Sequence, residues 1–251
     1  MDPVKVVSFN VRYGTAKDGP NAWPHREALV IRHLASLDAD LIGAQEVLDF
    51  QLDALRAGLP EHTAFGVGRD DGTTRGEMVA LFFRTERFEP LARGHFWLSP
   101  NPDRPGRGWD AALPRVAAWV LLEDRASKRP IRLIVTHFDH AGGKARAASA
   151  RLLCARFADD DAMPIVTGDF NDGLDSESYR TLTNTYVDTY RAVHDAETGG
   201  TFHGFGAIQV DDRIDWILTS RSARVLAASV ERTAYGGRWP SDHHAVTATL
   251  A

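Results

Sequence analysis

The chain has 251 residues, 43% of them hydrophobic and 25% charged, a globular balance that argues against disorder and against a collagen-like repeat. Its formal charge is −5, from 29 Lys and Arg against 34 Asp and Glu, so the totals show no broad basic field for gripping nucleic acid, although a local basic groove stays open.

The opening MDPVKVVSFNVRYG lacks the basic start and longer apolar run of a signal peptide, and no stretch approaches the ~18 apolar residues of a membrane span. A soluble, cytoplasmic protein without a membrane partner is the expectation. Within that opening, Val4 to Val11 reads as a buried strand. Trp23 to Leu37 reads as a helix, with Pro24 in its first turn and Ile31, Leu34 and Ala35 on one face. Asp40 to Val47 is the next strand, and MVALFFR (78–84) and RVAAWVLLED (115–124) read as antiparallel strands. The order of the start then recurs: strand IRLIVTHFD (131–139), helix from Lys144 to Ala158, strand PIVTGDF (164–170). RIDWILTS (213–220) and AVTATLA (245–251) complete the set. The sole cysteine, Cys154, sits among Leu152, Leu153 and Ala155 and reads as a buried helical thiol, in keeping with a reducing compartment.

Each half opens strand, helix, strand and ends in antiparallel strands, and no Pro/Gly/Ser linker divides them. The expectation is one domain over residues 1–251, of mixed α/β (α+β) class. It is a four-layer α-β-β-α sandwich of two packed mixed, mostly antiparallel sheets with helices outside. The irregular stretches Arg69 to Glu77 and Leu98 to Leu113 are candidate substrate loops.

Polar residues interrupt the apolar strands at their ends. Asn10 follows VVSF, Glu46 follows LIGAQ, His137 follows LIVT, Asp169 and Asn171 punctuate IVTGDFN, Asp215 sits inside RIDWIL, and Asp242 and His243 precede the last strand. One such residue is ordinarily a turn former satisfied by backbone; as a set they point to one polar site at the mouth of a sandwich. Oxygen ligands such as Glu46, Asp242 and Asn10 suit a hard cation like Mg²⁺, with Mn²⁺ as a substitute. No CxxC or HExxH pattern is present to hold zinc.

The segments SFNVRYG, IGAQEV, GEMVALFFR, PRVAAW, THFDH, GDFN, RIDWI and SDHH, in this order from Ser8 to His243, resemble the successive motifs of the endonuclease/exonuclease/phosphatase superfamily. TFHGF followed by RIDWI is most similar to its small bacterial hydrolases. The resemblance implies a Mg²⁺-dependent phosphoric ester hydrolase that attacks a P–O bond with an activated water. Asn10, Glu46 and Asp242 are then metal-site residues. His243 contacts the scissile phosphate and is oriented by Asp215, Asp169 and Asn171 orient the attacking water, and His137 serves the phosphate or the leaving oxygen. Arg115 is either a phosphate clamp or a carboxylate partner, Asp139 and His140 are candidate phosphate contacts, and Glu77 either lies close to the site or is a structural group. His244 reads as structural.

A phosphodiesterase or nuclease heads the substrate expectations, with single-stranded nucleic acid or a nucleotide as partner. The alternatives are a phosphomonoesterase for a sugar, inositol or nucleotide phosphate, and a non-catalytic relative that binds a phosphorylated ligand. Trp97, Trp109, Phe202, His203 and Phe205 are aromatics placed where a ring could stack.

Overall fold

A computed structural model describes residues 2–158, 161–196, 199–208 and 211–251. Among them the chain runs β1 (Val4–Asn10), α1 (Trp23–Ser36), β2 (Leu41–Val47), α2 (Asp49–Gly58), β3 (His62–Gly68), β4 (Met78–Arg84), β5 (Phe88–Trp97) and β6 (Val116–Asp124). It continues β7 (Pro130–His137), α3 (Gly143–Arg156), β8 (Met163–Asp169), α4 (Glu177–Thr185), β9 (Val187–Asp188), β10 (Asp215–Thr219), β11 (Val225–Glu231) and β12 (Ala245–Leu250). One six-stranded sheet has the order β11-β12-β1-β2-β4-β3 and the other β5-β6-β7-β8-β10-β9. In each, a single parallel pair, β1 with β2 or β7 with β8, is joined through a helix, and the other pairings are antiparallel. A parallel pair needs such a crossover, so the two strand-helix-strand units set the centre of each sheet.

Strand parity explains why the apolar runs are continuous. Val4, Val6 and Leu41 from the first sheet meet Leu133, Val135, Ile165 and Ile217 from the second in one shared core. Their neighbours Val7, Phe9 and Ile42 pack with Val30, Leu34, Leu52 and Leu55 of α1 and α2. On the far side Ile134, Val166, Trp216 and Leu218 pack with Leu153 and Leu182 of α3 and α4. Three cores between four layers make the α-β-β-α sandwich, and a strand covered on both faces has no polar side to alternate with. The sheets approach closely at β2, where a Cβ on Gly43 would lie 1.9 Å from Thr167 Oγ1.

The expected elements recur within a few residues of their bounds. α2, α4, β3, β5, β9 and β11 were not anticipated. β5 and β11 lie at sheet edges and contain register shifts, between Pro90 and Ala92 and between Val225 and Ala227, so exposed and polar residues blur their alternation. α4 is announced only by Ser176, whose hydroxyl accepts the Tyr179 N–H at 3.1 Å. Cys154 lies on α3, partly buried, with its sulfur 3.9 Å from Thr181 O. No helix of the described residues is long and apolar enough to cross a membrane.

Candidate active site

At one end of the space between the sheets, the inward parity that gives the core its Leu and Ile side chains delivers polar groups instead. His137 on β7, Asp169 on β8 and Asp215 on β10 are direct cross-strand neighbours, and Asn10 ends β1 on the facing sheet. Asn10, Asp169 and Asp215 are at most 1% exposed. Asn10 Nδ2 donates to Glu46 Oε1 at 3.0 Å and to Asp169 Oδ2 at 2.9 Å, while its Oδ1 accepts the Arg12 N–H at 2.9 Å. The amide orientation is fixed by these partners, so Asn10 spaces the two carboxylates and its oxygen is already engaged by backbone. That places Asn10 beside Glu46, the carboxylate expected to hold the metal.

Glu46 would point away from this site in a regular strand. The ladder between β2 and β4 shifts register between Ala44 and Val47, and Glu46 takes φ +60°, a conformation that non-glycine residues adopt rarely and at a cost of about 1 to 3 kcal/mol. The bulge turns the carboxylate towards Asn10, and the Tyr13 N–H holds Oε2 at 3.1 Å. Asn171 sits at φ +50° just beyond β8. Its N–H donates to Asp169 Oδ1 at 2.9 Å, and Nδ2 donates to Phe138 O and lies 3.0 Å from His137 Nε2.

His243 pairs through Nδ1 with Asp215 Oδ2 at 2.9 Å, and its Nε2 is 3.8 Å from Asp169 Oδ2. Burial disfavours the imidazolium, yet Asp215 and then Asp169 outweigh it and raise the proton affinity well above that of a free histidine. Burial, with Asp215 beside it, also raises Asp169, against the pull of His243. His137 goes the other way: burial, reinforced by Arg115, keeps it neutral. Asp242, raised by burial, lines the same cleft and lies 3.5 Å from Arg12 Nε.

The cleft has a volume of about 380 Å³ and is lined on its other side by Arg69, Glu77, Arg115 and His140. Arg115 stands 3.6 Å from Asp139 and 4.0 Å from Glu77, and its Nη2 is 3.2 Å from His140 Nδ1. Asp139 is corrected as a phosphate contact. Its carboxylate is 1% exposed and accepts the N–H groups of Ala112, Leu113, Ala141 and Gly142, so it ties the 108–113 loop to the start of α3. Trp97 is likewise buried, donating to Arg69 O at 2.7 Å, and His203 stacks on His244 at 4.0 Å. Phe202 lines the cleft with its ring 5.0 Å from that of His243, whereas Trp109 is 44% exposed on the 108–113 loop.

Sequence reasoning missed Arg12, Arg26 and Arg69. Arg26, 1% exposed on α1, donates to the carbonyls of Val11, Arg12, Asn21 and Pro240, pinning the segments that carry Arg12 and Asp242. The one available signal was an arginine on the apolar face of a helix that also buries Trp23 and Val30.

Among the described residues, two groups bring ligand atoms within 4.8 Å of one another: Glu46 with His137 and Asp169, and Asp169 with Asp215 and His243. Asp242, expected beside Glu46, belongs to neither group. Buried carboxylates pushed towards protonation are the electrostatic condition that a cation relieves, and the oxygen-rich donors fit a hard divalent ion.

Residues 7–243 match the model of the endonuclease/exonuclease/phosphatase family. An endonuclease/exonuclease/phosphatase of Bacteroides vulgatus is 35% identical over 100% of this chain and 99% of its own, with a TM-score of 0.94. A mannosyl-6-phosphatase of Bacteroides thetaiotaomicron is 32% identical over 99% of each chain, with a TM-score of 0.89. The catalytic domain of human nocturnin, solved with bound sulfate, shares the fold at 19% identity and a TM-score of 0.80, over 99% of this chain and 93% of its own. No curated protein matches the sequence significantly. With the match spanning nearly its whole length, this chain belongs to the endonuclease/exonuclease/phosphatase family.

Proposed function

We propose that this protein is a divalent-metal-dependent phosphomonoesterase acting on a small phosphorylated sugar or polyol. The observation that carries the hydrolase reading is the row His137, Asp169, Asp215 with Asn10 and Glu46 facing it and His243 closing it, in one cleft. The narrower substrate reading is supported by a cleft of about 380 Å³, within the usual range for small-ligand sites, and by the likeness to a mannosyl-6-phosphatase. It replaces the diesterase or nuclease at the head of the expectations.

In this reading Glu46 would hold the cation, with Asp242 at its edge and Asn10 keeping the carboxylates of Glu46 and Asp169 apart. Magnesium or manganese, when bound, supplies positive charge to the ester oxygens. Asp169, held by the Asn10 side chain and the Asn171 N–H, accepts the proton of the attacking water. The Asn171 side chain, its Nδ2 fixed by Phe138 O, donates to His137 Nε2 and orients that ring beside the phosphate. His243, protonated against Asp215, presents Nε2–H to the phosphate where charge develops.

The test is a panel of a hexose 6-phosphate, p-nitrophenyl phosphate, bis-p-nitrophenyl phosphate and single-stranded DNA, with Mg²⁺, with Mn²⁺ and with EDTA. The monoesters turn over faster than the diesters, EDTA silences the enzyme, and Asp169→Asn and His243→Ala abolish turnover while the fold persists. Turnover indifferent to EDTA, or unchanged in either variant, overturns the hydrolytic assignment; preference for DNA or the diester overturns the substrate class.

A further inference from the structure

Arg69 is built into the cleft more rigidly than a surface arginine. Its N–H donates to Glu77 O at 3.1 Å, its carbonyl accepts from Trp97 Nε1 at 2.7 Å, and its Nη1 donates to Glu77 Oε2 at 2.7 Å. The loop that carries it is closed by Asp71, which accepts the N–H groups of Thr73 and Arg75, and by the close contact of Gly72 with His95 and Trp97. Arg69 and Arg115 face the same carboxylate, at 2.7 and 4.0 Å from Glu77 Oε2. The Nε of each is buried with no hydrogen-bond partner, although Arg69 Nε lies 4.0 Å from Asp70 and Arg115 Nε 3.6 Å from Asp139. The side chains of Arg69 and Arg115 are 13% and 5% exposed.

We propose that Arg69 and Arg115 form a two-guanidinium seat for the transferred phosphate and give the site its preference for dianionic monoesters over diesters. The inference rests on the phosphomonoesterase reading above and adds the residues that enforce it. The two guanidinium groups share Glu77, with Asp70 and Asp139 at the limit of ion-pair distance, and the buried Nε of each still lacks a hydrogen-bond acceptor. Burial and then Glu77 act in opposite directions on Arg115, and the nearby Arg69 adds to the first. An anion with several oxygens relieves both cations, and guanidinium forks match phosphate oxygens in geometry. A monoester above its second ionisation near pH ~6 offers three unesterified oxygens sharing the charge. In a diester one of them carries an alkyl group, which would cover a buried guanidinium without giving it an acceptor.

The experiment compares wild type with Arg69→Ala and Arg69→Lys, each checked for an unchanged melting transition. It reads the inhibition constant of inorganic phosphate and the ratio of kcat/KM for p-nitrophenyl phosphate to that for bis-p-nitrophenyl phosphate. In Arg69→Ala, phosphate inhibition weakens about 10- to 100-fold, as loss of a charged hydrogen bond predicts, and the monoester-to-diester ratio falls by a similar factor. Arg69→Lys keeps the charge without the fork and recovers part of both. Phosphate inhibition that is absent in the wild type or moves less than about threefold in Arg69→Ala overturns the seat, as does an equal fall for both esters; these margins sit below the worth of one such bond. A wild type that prefers the diester overturns the monoesterase reading, and the phosphate constants still decide whether Arg69 holds the anion.

Discussion

Replacing Asp215 with Asn removes the counter-ion of His243 while preserving shape. The pair is 2.9 Å apart with Asp215 fully buried, so at an effective dielectric near 20 the gross attraction is about 6 kcal/mol. Desolvation offsets much of this, and the net worth of a hydrogen bond to a charged group is about 1.5 to 3 kcal/mol, or roughly 10- to 150-fold in rate. Loss of imidazole orientation adds to it, up to the ~10⁴-fold seen when a histidine-orienting aspartate is replaced in other hydrolases. We expect kcat/KM on a monoester to fall between these bounds. NMR titration shows the direction of the electrostatic change: without Asp215 the His243 ring loses its proton at lower pH than in the wild type, since the first group that offset its burial is gone. Activity within about threefold of wild type, below the worth of one charged hydrogen bond, together with an unmoved His243 titration, would refute the pairing as a functional one.

Two further outcomes test the scaffold. Arg26→Met removes its hydrogen bonds to four carbonyls, of which Arg12 O keeps the Gln51 Nε2 donor, and should cost about 3 to 5 kcal/mol in urea unfolding; a loss below about 1 kcal/mol removes Arg26 as the clasp behind the site. His33 is buried against Tyr235, and burial, only partly opposed by Glu231, keeps its ring neutral in the fold. The unfolded chain protonates it near pH ~6.5. Its contribution is therefore present above that value and lost as pH falls below it towards the lower folded value. His33→Gln should narrow the gap in unfolding free energy between pH ~7.5 and ~5.5, and an unchanged gap would show that His33 does not titrate in this way.

The central strands were legible because they are covered on both faces: VKVVSF and IRLIVT can bury every side chain only between a second sheet and a helix. The edge strands β5 and β11 carried no such mark, since solvent on one side admits Glu, Pro and Arg and the ladder slips. The polar residues of the cleft stood out for the same reason that the strands did. His137, Asp169 and Asp215 occupy positions whose parity demands a hydrophobe.

Arg69 and Arg26 were not legible, because an arginine in a Gly- and Asp-rich loop, or on a helix, is ordinarily a solvated side chain. Only the tertiary structure turns them inward, through Trp97 and Glu77 in one case and four backbone carbonyls in the other. The same holds for Asp139, whose motif suggested a ligand contact and whose carboxylate instead caps a loop. Sequence alone thus determined which strands lie at the centre and which carboxylates and imidazoles end them, because local burial leaves a pattern in the chain. It did not determine which charge faces which across the cleft. That depends on a bulge at Glu46, a left-handed residue at Asn171 and contacts between segments more than a hundred residues apart, none of which local propensity encodes.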